Sequence, residues 1–223
     1  MCKRTKVSKW FLMAGVFVGL VFLLQTNMLS AEERTKPENL LKNPSFEEEE
    51  DFLNQPGWSM NHRSGAGSTF QRLNVGSADA HDGDYVGEIQ YRQDGGEGWA
   101  QAIIGQSNEP VDAKDGDYFV CSIWHRIADA DGPNLSGTLS MSLRVYDKEN
   151  VYIGEVDVAQ QGFPIGTNWG ERVVTSVAVP ATHINKQGVV CTVAKANVVA
   201  YYKVTTKGKV YVDDAKLLFY SAR

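Results

Sequence analysis

Lys209-Val-Tyr-Val-Asp-Asp-Ala-Lys-Leu-Leu-Phe219 reads as a β-strand broken by two adjacent carboxylates. Side chains on a strand alternate faces with period two. Val210 and Val212 therefore share one side, whereas Ala215, Leu217 and Phe219 have the opposite parity. A β-bulge at Asp213-Asp214 inserts one residue and returns both apolar sets to the same face. Carboxylates in an otherwise apolar strand are costly to bury unpartnered, so one of them is expected to meet a cation or a ring of backbone N–H groups. The rest of the chain supplies the walls around that point.

Outward from this strand, short alternating runs recur along the chain, separated by clusters of Gly, Asp, Asn and Pro, and no helical period extends beyond about ten residues. The runs are 40–41, 68–73, 85–91, 99–104, 118–127, 137–146, 151–158, 171–179, 189–193, 197–204 and 209–220. Turn signals fall at Asp82-Gly83, Asp94-Gly95-Gly96, Asp115-Gly116, Asp131-Gly132-Pro133 and Lys207-Gly208. The pattern predicts an all-β sandwich.

Two runs alternate cleanly enough to assign faces. Phe119, Cys121, Ile123 and Ile127 lie opposite Val120, Ser122, Trp124 and Arg126, and Leu139, Met141, Leu143 and Val145 lie opposite Ser140, Ser142, Arg144 and Tyr146. The first set in each is core; the second is too polar for a core and too aromatic for a plain solvent face. By the same rule Tyr85, Ile89 and Tyr91 point inward and Glu88, Gln90 and Arg92 outward, and Trp99 shares parity with Gln101. If these strands are neighbours, one surface bears Trp99, Trp124, Tyr146, Arg92, Arg126, Arg144, Gln101 and Glu88. Aromatic rings beside Arg, Gln and Glu suit a sugar, whose C–H face stacks on a ring while its hydroxyls meet the polar groups. The alternative is that residues 147–166 cover Trp124 and Trp99. Trp58 and Trp169, beside turns, read as packing at the sandwich edge.

In the acidic run 47–51, Glu47 stands apart because it follows the apolar Phe46. Calcium takes six to eight oxygen ligands, and a loop such as Ala80-His-Asp-Gly-Asp84 can supply carbonyls. Glu47 with Asp213 or Asp214 and that loop would form one structural site. The four histidines show no zinc-like spacing, and Gly65-Ala-Gly67 lacks the strand–glycine–helix context of a nucleotide loop.

At the N-terminus, Lys3, Arg4, Lys6 and Lys9 precede an apolar run from Trp10 to Leu24 and small residues up to Ala31, the pattern of a secretory signal peptide over 1–31, with an uncleaved anchor as the alternative. Residues 32–37 form a short polar lead-in, and 38–223 a single domain. Loss of 1–31 leaves 18 Lys plus Arg against 27 Asp plus Glu, a net charge of −9. That surface argues against nucleic acid or an anionic membrane as partner. An oxidising compartment would permit a Cys121–Cys191 bridge, while burial of both as free thiols is the other reading.

Asn39-Leu-Leu-Lys-Asn-Pro-Ser-Phe-Glu47, Gly57-Trp58, Ala80-His-Asp-Gly-Asp-Tyr85, Gln101, the run 118–126, Thr167-Asn-Trp169 and Val210-Tyr-Val-Asp-Asp-Ala-Lys-Leu217, taken in order, resemble the carbohydrate-binding modules grouped around families four, nine, sixteen and twenty-two. The resemblance implies a galactose-binding-domain-like β-sandwich jelly roll with a structural calcium held by Glu47, carbonyls from His81 to Gly83, and Asp213. It also implies a concave face that binds a poly- or oligosaccharide through Gln101, Trp124 and Arg126. Residues 147–167 and 183–193 exceed the usual pattern. The resulting expectation is a secreted, periplasmic or cell-surface module without catalysis. The alternatives are a structural or adhesive protein that has lost sugar binding, and a glycosidase or lyase. The last needs two carboxyls flanking one bond, for which Glu88, Glu155 and Asp157 are the candidates.

Overall fold

The bulge lies where the parity change requires it. In the computed structural model, which describes residues 37–48, 58–63, 68–92, 98–105, 109–129 and 135–222, Asp213 pairs with Trp124 but the next paired residue, Lys216, faces Ser122. Asp214 takes a positive φ of 39°. Val210, Val212, Ala215 and Leu217 are consequently all buried in the core.

The bulge leaves main-chain groups without strand partners, and the N-terminal motif fills the gap. Asn39 donates Nδ2–H to the Ala215 carbonyl at 3.0 Å and accepts the Leu217 amide at 2.9 Å. The Ala215 amide in turn donates to the Pro44 carbonyl at 3.0 Å. Residues 40–41, expected as a strand, do not form one: the contact with β13 is a single bridge of Asn39 with Leu218, beside which the Leu40 amide donates to the Leu217 carbonyl at 2.9 Å. Phe46 turns with a φ of 62° and buries its ring 4.7 Å from Trp58. Gly87 is required there, since a Cβ on it would lie 2.7 Å from the Phe46 ring.

The strands are β1 (Trp58–Arg63), β2 (Thr69–Asn74), β3 (Tyr85–Tyr91), β4 (Trp99–Ile104), β5 (Val111–Asp112), β6 (Tyr118–Ile127), β7 (Leu135–Tyr146), β8 (Tyr152–Ile165), β9 (Gly170–Thr175), β10 (Thr182–Ile184), β11 (Val190–Thr192), β12 (Lys195–Val204) and β13 (Gly208–Tyr220). No helix occurs among the described residues. A five-stranded sheet runs β2-β3-β13-β6-β9, a six-stranded sheet runs β1-β4-β12-β7-β8 with β5 on β12, and β10-β11 is a separate hairpin. All pairings are antiparallel. The chain is an all-β sandwich of the jelly-roll kind.

The core is the meeting of the two inner faces, Phe70, Ile89, Phe119, Cys121, Ile123 and Leu217 from one sheet and Ala102, Ile104, Leu139, Met141, Leu143 and Tyr202 from the other. His125 shares the inward parity of β6 and is bonded through Nδ1 to the Tyr202 hydroxyl, with Phe163 edge-on. Burial, with a smaller contribution from the Arg172 charge, lowers its pKa to about 4. Cys121 and Cys191 are both free thiols, and burial pushes Cys121 up to about 12.

Two expectations need correction. Residues 147–166 do not lie over the sheet: most of them form β8, hydrogen-bonded edge to edge with β7. The expected single face is also two faces, because β3 and β6 belong to one sheet whereas β4 and β7 belong to the other. Outer faces of a sandwich point apart, so Glu88, Arg92, Trp124 and Arg126 are separated from Trp99, Gln101, Arg144 and Tyr146. Residues 1–36, including the expected signal peptide, and residues 49–51, 65–67, 94–96 and 131–133 lie outside the described residues.

Candidate functional site

The acidic corner comes first, since the expected metal residues Glu47, His81, Gly83 and Asp213 do converge. The loop between β2 and β3 brings them together. Asp213, fully buried, accepts the His81 and Asp82 amides on Oδ2, both at 2.9 Å, and the Asp214 amide on Oδ1 at 2.7 Å. Glu47 Oε1 accepts the Asp84 and Tyr85 amides, both at 2.9 Å. Its carboxylate lies directly on Gly83, where a Cβ would come within 2.3 Å. The ring of N–H groups expected as one of the two alternatives for the buried carboxylate forms around Asp213. Burial pushes Asp213 up to about 6, against the pull of the three amides and with Asp82 adding to the rise.

This donor set does not fit calcium. The ion needs oxygens, and the loop turns amide N–H groups toward both carboxylates.

The outer face of the five-stranded sheet is taken up by the same loop. His81 stacks on Trp124 with ring centroids 3.9 Å apart and an interplanar angle of 17°. Arg126 Nη2 binds the Asp79 carboxylate and carbonyl, both at 3.0 Å, and Trp169 Nε1 donates to the same carbonyl at 3.3 Å. Glu88 is buried and held by Gln71 at 3.0 Å and by Lys209 at 3.5 Å. Arg92 is exposed and donates to Gln90 at 2.7 Å. Trp124 and Arg126 therefore secure a loop to the sheet. Their alternating pattern was legible, but the loop that covers them was not.

The outer face of the six-stranded sheet is arranged differently. Here Trp99, Gln101 and Ile103 of β4 lie beside Lys203, Tyr201, Val199 and Asn197 of β12, and these beside Ser140, Ser142, Arg144 and Tyr146 of β7. Gln101, Ser140, Ser142 and Asn197 are almost fully buried although they point away from the core. Polar groups that are buried on an outer face lie in a recess between taller side chains. At one end of it Arg144, Tyr146, Tyr152 and Glu155 line a cavity of about 350 Å³. Tyr146 and Tyr152 meet edge to face at 5.6 Å, and the Tyr146 hydroxyl donates to Asn197 at 3.3 Å. Glu155 accepts the Ser142 hydroxyl. At the other end Lys203 sits 4.9 Å over the Trp99 ring.

Four of the expected ligand residues, Trp99, Gln101, Arg144 and Tyr146, thus share one recessed face, and Tyr152, Asn197 and Tyr201 join them unforeseen. The signal for Tyr152 was available, because 151–158 was expected as a strand that follows the run 137–146.

Among solved structures, the chain superposes on the xylan-binding CBM22-1 domain of Xyn10C from Paenibacillus barcinonensis with a TM-score of 0.50 and 14% identity, covering 84% of this chain and 97% of that one. The chain has the jelly-roll fold of the carbohydrate-binding modules. TmCBM61, solved with β-1,4-galactotriose, is similar at a TM-score of 0.47 and 14% identity, covering 81% of this chain and 98% of that one. The enzymatically active domain of tailspike protein 4 from bacteriophage CBA120 is similar at a TM-score of 0.48 and 14% identity over 82% of this chain, which spans about a fifth (21%) of that one. No protein-family profile and no curated protein sequence matches the chain.

Proposed function

We propose that the protein is an exported, non-catalytic module that binds a poly- or oligosaccharide in the recess on the outer face of its six-stranded sheet. The observation that carries this reading is the combination of a line of buried polar side chains with exposed aromatic edges around a cavity of about 350 Å³. Gln101, Asn197 and Ser142 present groups that bond hydroxyls, and Tyr146, Tyr152 and Trp99 offer flat rings. The xylan-binding and galactotriose-bound modules of similar fold are compatible with it. Absence of catalysis is part of the proposal. Of the carboxyls considered for hydrolysis, Glu88 belongs to the five-stranded sheet and Glu155 to the six-stranded one, so those two cannot flank one bond. Export rests on the N-terminal pattern, and the amide clasp on Asp213 and Glu47 takes the structural place expected for calcium. Pull-down on insoluble xylan, galactan and glucan tests the reading. Retention that falls on Tyr152→Ala supports it; no retention on any matrix refutes it.

One observation favours a second reading as an adhesive protein. The β10-β11 hairpin exposes Ile184, Val189 and Val190, and His183 packs it against Gly154 of β8, near the exposed Val151 and Tyr152. Under that reading the hairpin, and not the recess, governs attachment.

A further inference from the structure

On the outer faces of β4, β7 and β12 every charged side chain is a cation: Arg144, Lys195 and Lys203. The flanking strands of the same sheet add Glu155, opposite Arg144, and Asp112, opposite Lys195, so the cations are gathered on the central strands of the face. We infer that the glycan held here bears carboxylates, as a uronic-acid polymer does; the inference rests on the recess being the glycan site.

Arg144 carries the argument. It lies directly opposite Glu155 in the β7–β8 register, yet the two make no ion pair, and the Glu155 carboxylate accepts the Ser142 hydroxyl. The Arg144 guanidinium has no hydrogen-bond or ion-pair partner among the described residues and lines the cavity. A guanidinium fork left open in a recess matches the two oxygens of a carboxylate, and such bonds are stronger and more directional than those to neutral hydroxyls. Lys195 pairs with the highly exposed Asp112, directly opposite it on β5, at 3.9 Å. Lys203 lies six residues along β12 from Asn197, the neighbour of Arg144. At about 3.4 Å per residue that is roughly 20 Å, enough for a charged oligosaccharide to meet cations at both ends. A neutral sugar would offer the Arg144 fork only hydroxyls, whereas a uronate would offer it both oxygens of a carboxylate, the Glu155 carboxylate beside it being held by Ser142.

Affinity electrophoresis of the protein in gels containing polygalacturonate, alginate, a sulfated galactan, neutral galactan or xylan tests this. The expected result is retardation by the uronate polymers above the neutral ones, weakened by added sodium chloride. With Arg144→Gln, affinity for the uronate polymer should fall at least about tenfold at an unchanged melting temperature, with partial retention in Arg144→Lys. Equal retardation by neutral galactan or xylan, or an Arg144→Gln protein that binds polygalacturonate normally, overturns the carboxylate and leaves glycan binding standing. Preference for the sulfated polymer overturns it as well, in favour of another anion. Binding to none of the five polymers removes both this inference and the function on which it rests.

Discussion

Asn39→Ala should be among the most damaging single-atom-group deletions outside the core. In the folded protein the Asn39 carboxamide is the partner of the Ala215 carbonyl and of the Leu217 amide, at 3.0 and 2.9 Å, and of the Leu41 amide at 3.2 Å. Ala215 and Leu217 are 0% and 1% exposed, so water cannot readily replace the side chain. Each orphaned buried group costs about 1–3 kcal/mol. The two β13 groups alone set the total at about 2–6 kcal/mol, and the amide of Leu41, itself only 5% exposed, adds to it. For a domain of this size that is a fall in melting temperature of roughly 5–25 °C. Urea unfolding followed by tryptophan fluorescence measures it, at unchanged m-value. Asn39→Asp keeps the acceptor for Leu217 but sets a carboxylate oxygen against the Ala215 carbonyl, so it should be at least as unstable as the alanine variant. A loss below about 1 kcal/mol in Asn39→Ala, or a stable Asn39→Asp, would refute the account of how the bulge is completed.

Melting curves in calcium and in chelator should coincide, and a rise of several degrees in calcium that Asp213→Asn abolishes would restore the metal and sink the amide clasp. His125, held neutral with its pKa at about 4 against an ordinary 6.5, contributes stability that is complete above pH 6.5 and is lost as the pH falls toward 4. Replacement by Gln should remove that slope from the difference between the two proteins' pH–stability curves, and an unchanged slope would contradict the buried neutral imidazole. Trp124→Ala removes the ring on which His81 and its loop rest, so it should lower stability by about 2–3 kcal/mol while polysaccharide retention is unaltered. A stable variant with lost retention would return the ligand to the five-stranded face.

What the sequence made legible was local. Period two assigned the faces of β6 and β7, and a parity change across Asp213-Asp214 placed the bulge, because both depend only on neighbours in the chain. Strand boundaries of β3, β4 and β6 follow from abrupt Gly and Asp punctuation on either side. β1 escaped notice since Trp58-Ser-Met-Asn-His-Arg63 carries only two core residues, Trp58 and Met60, in a polar run. The pairing of β4 with β12 and of β3 with β13 joins residues about a hundred positions apart, which alternation does not encode. That gap is why Trp124 and Arg126 were grouped with Trp99 and Arg144. Likewise, nothing in Ala80-His-Asp-Gly-Asp84 told whether its carbonyls or its amides would face the carboxylates.

Isothermal titration of the polysaccharide that the protein retains, into wild type and into Tyr146→Ala/Tyr152→Ala, tests most directly whether the six-stranded face is the binding site. The account predicts that loss of the two rings weakens binding by at least about tenfold, at a melting temperature within a few degrees of wild type. Wild-type affinity in the double variant would contradict it.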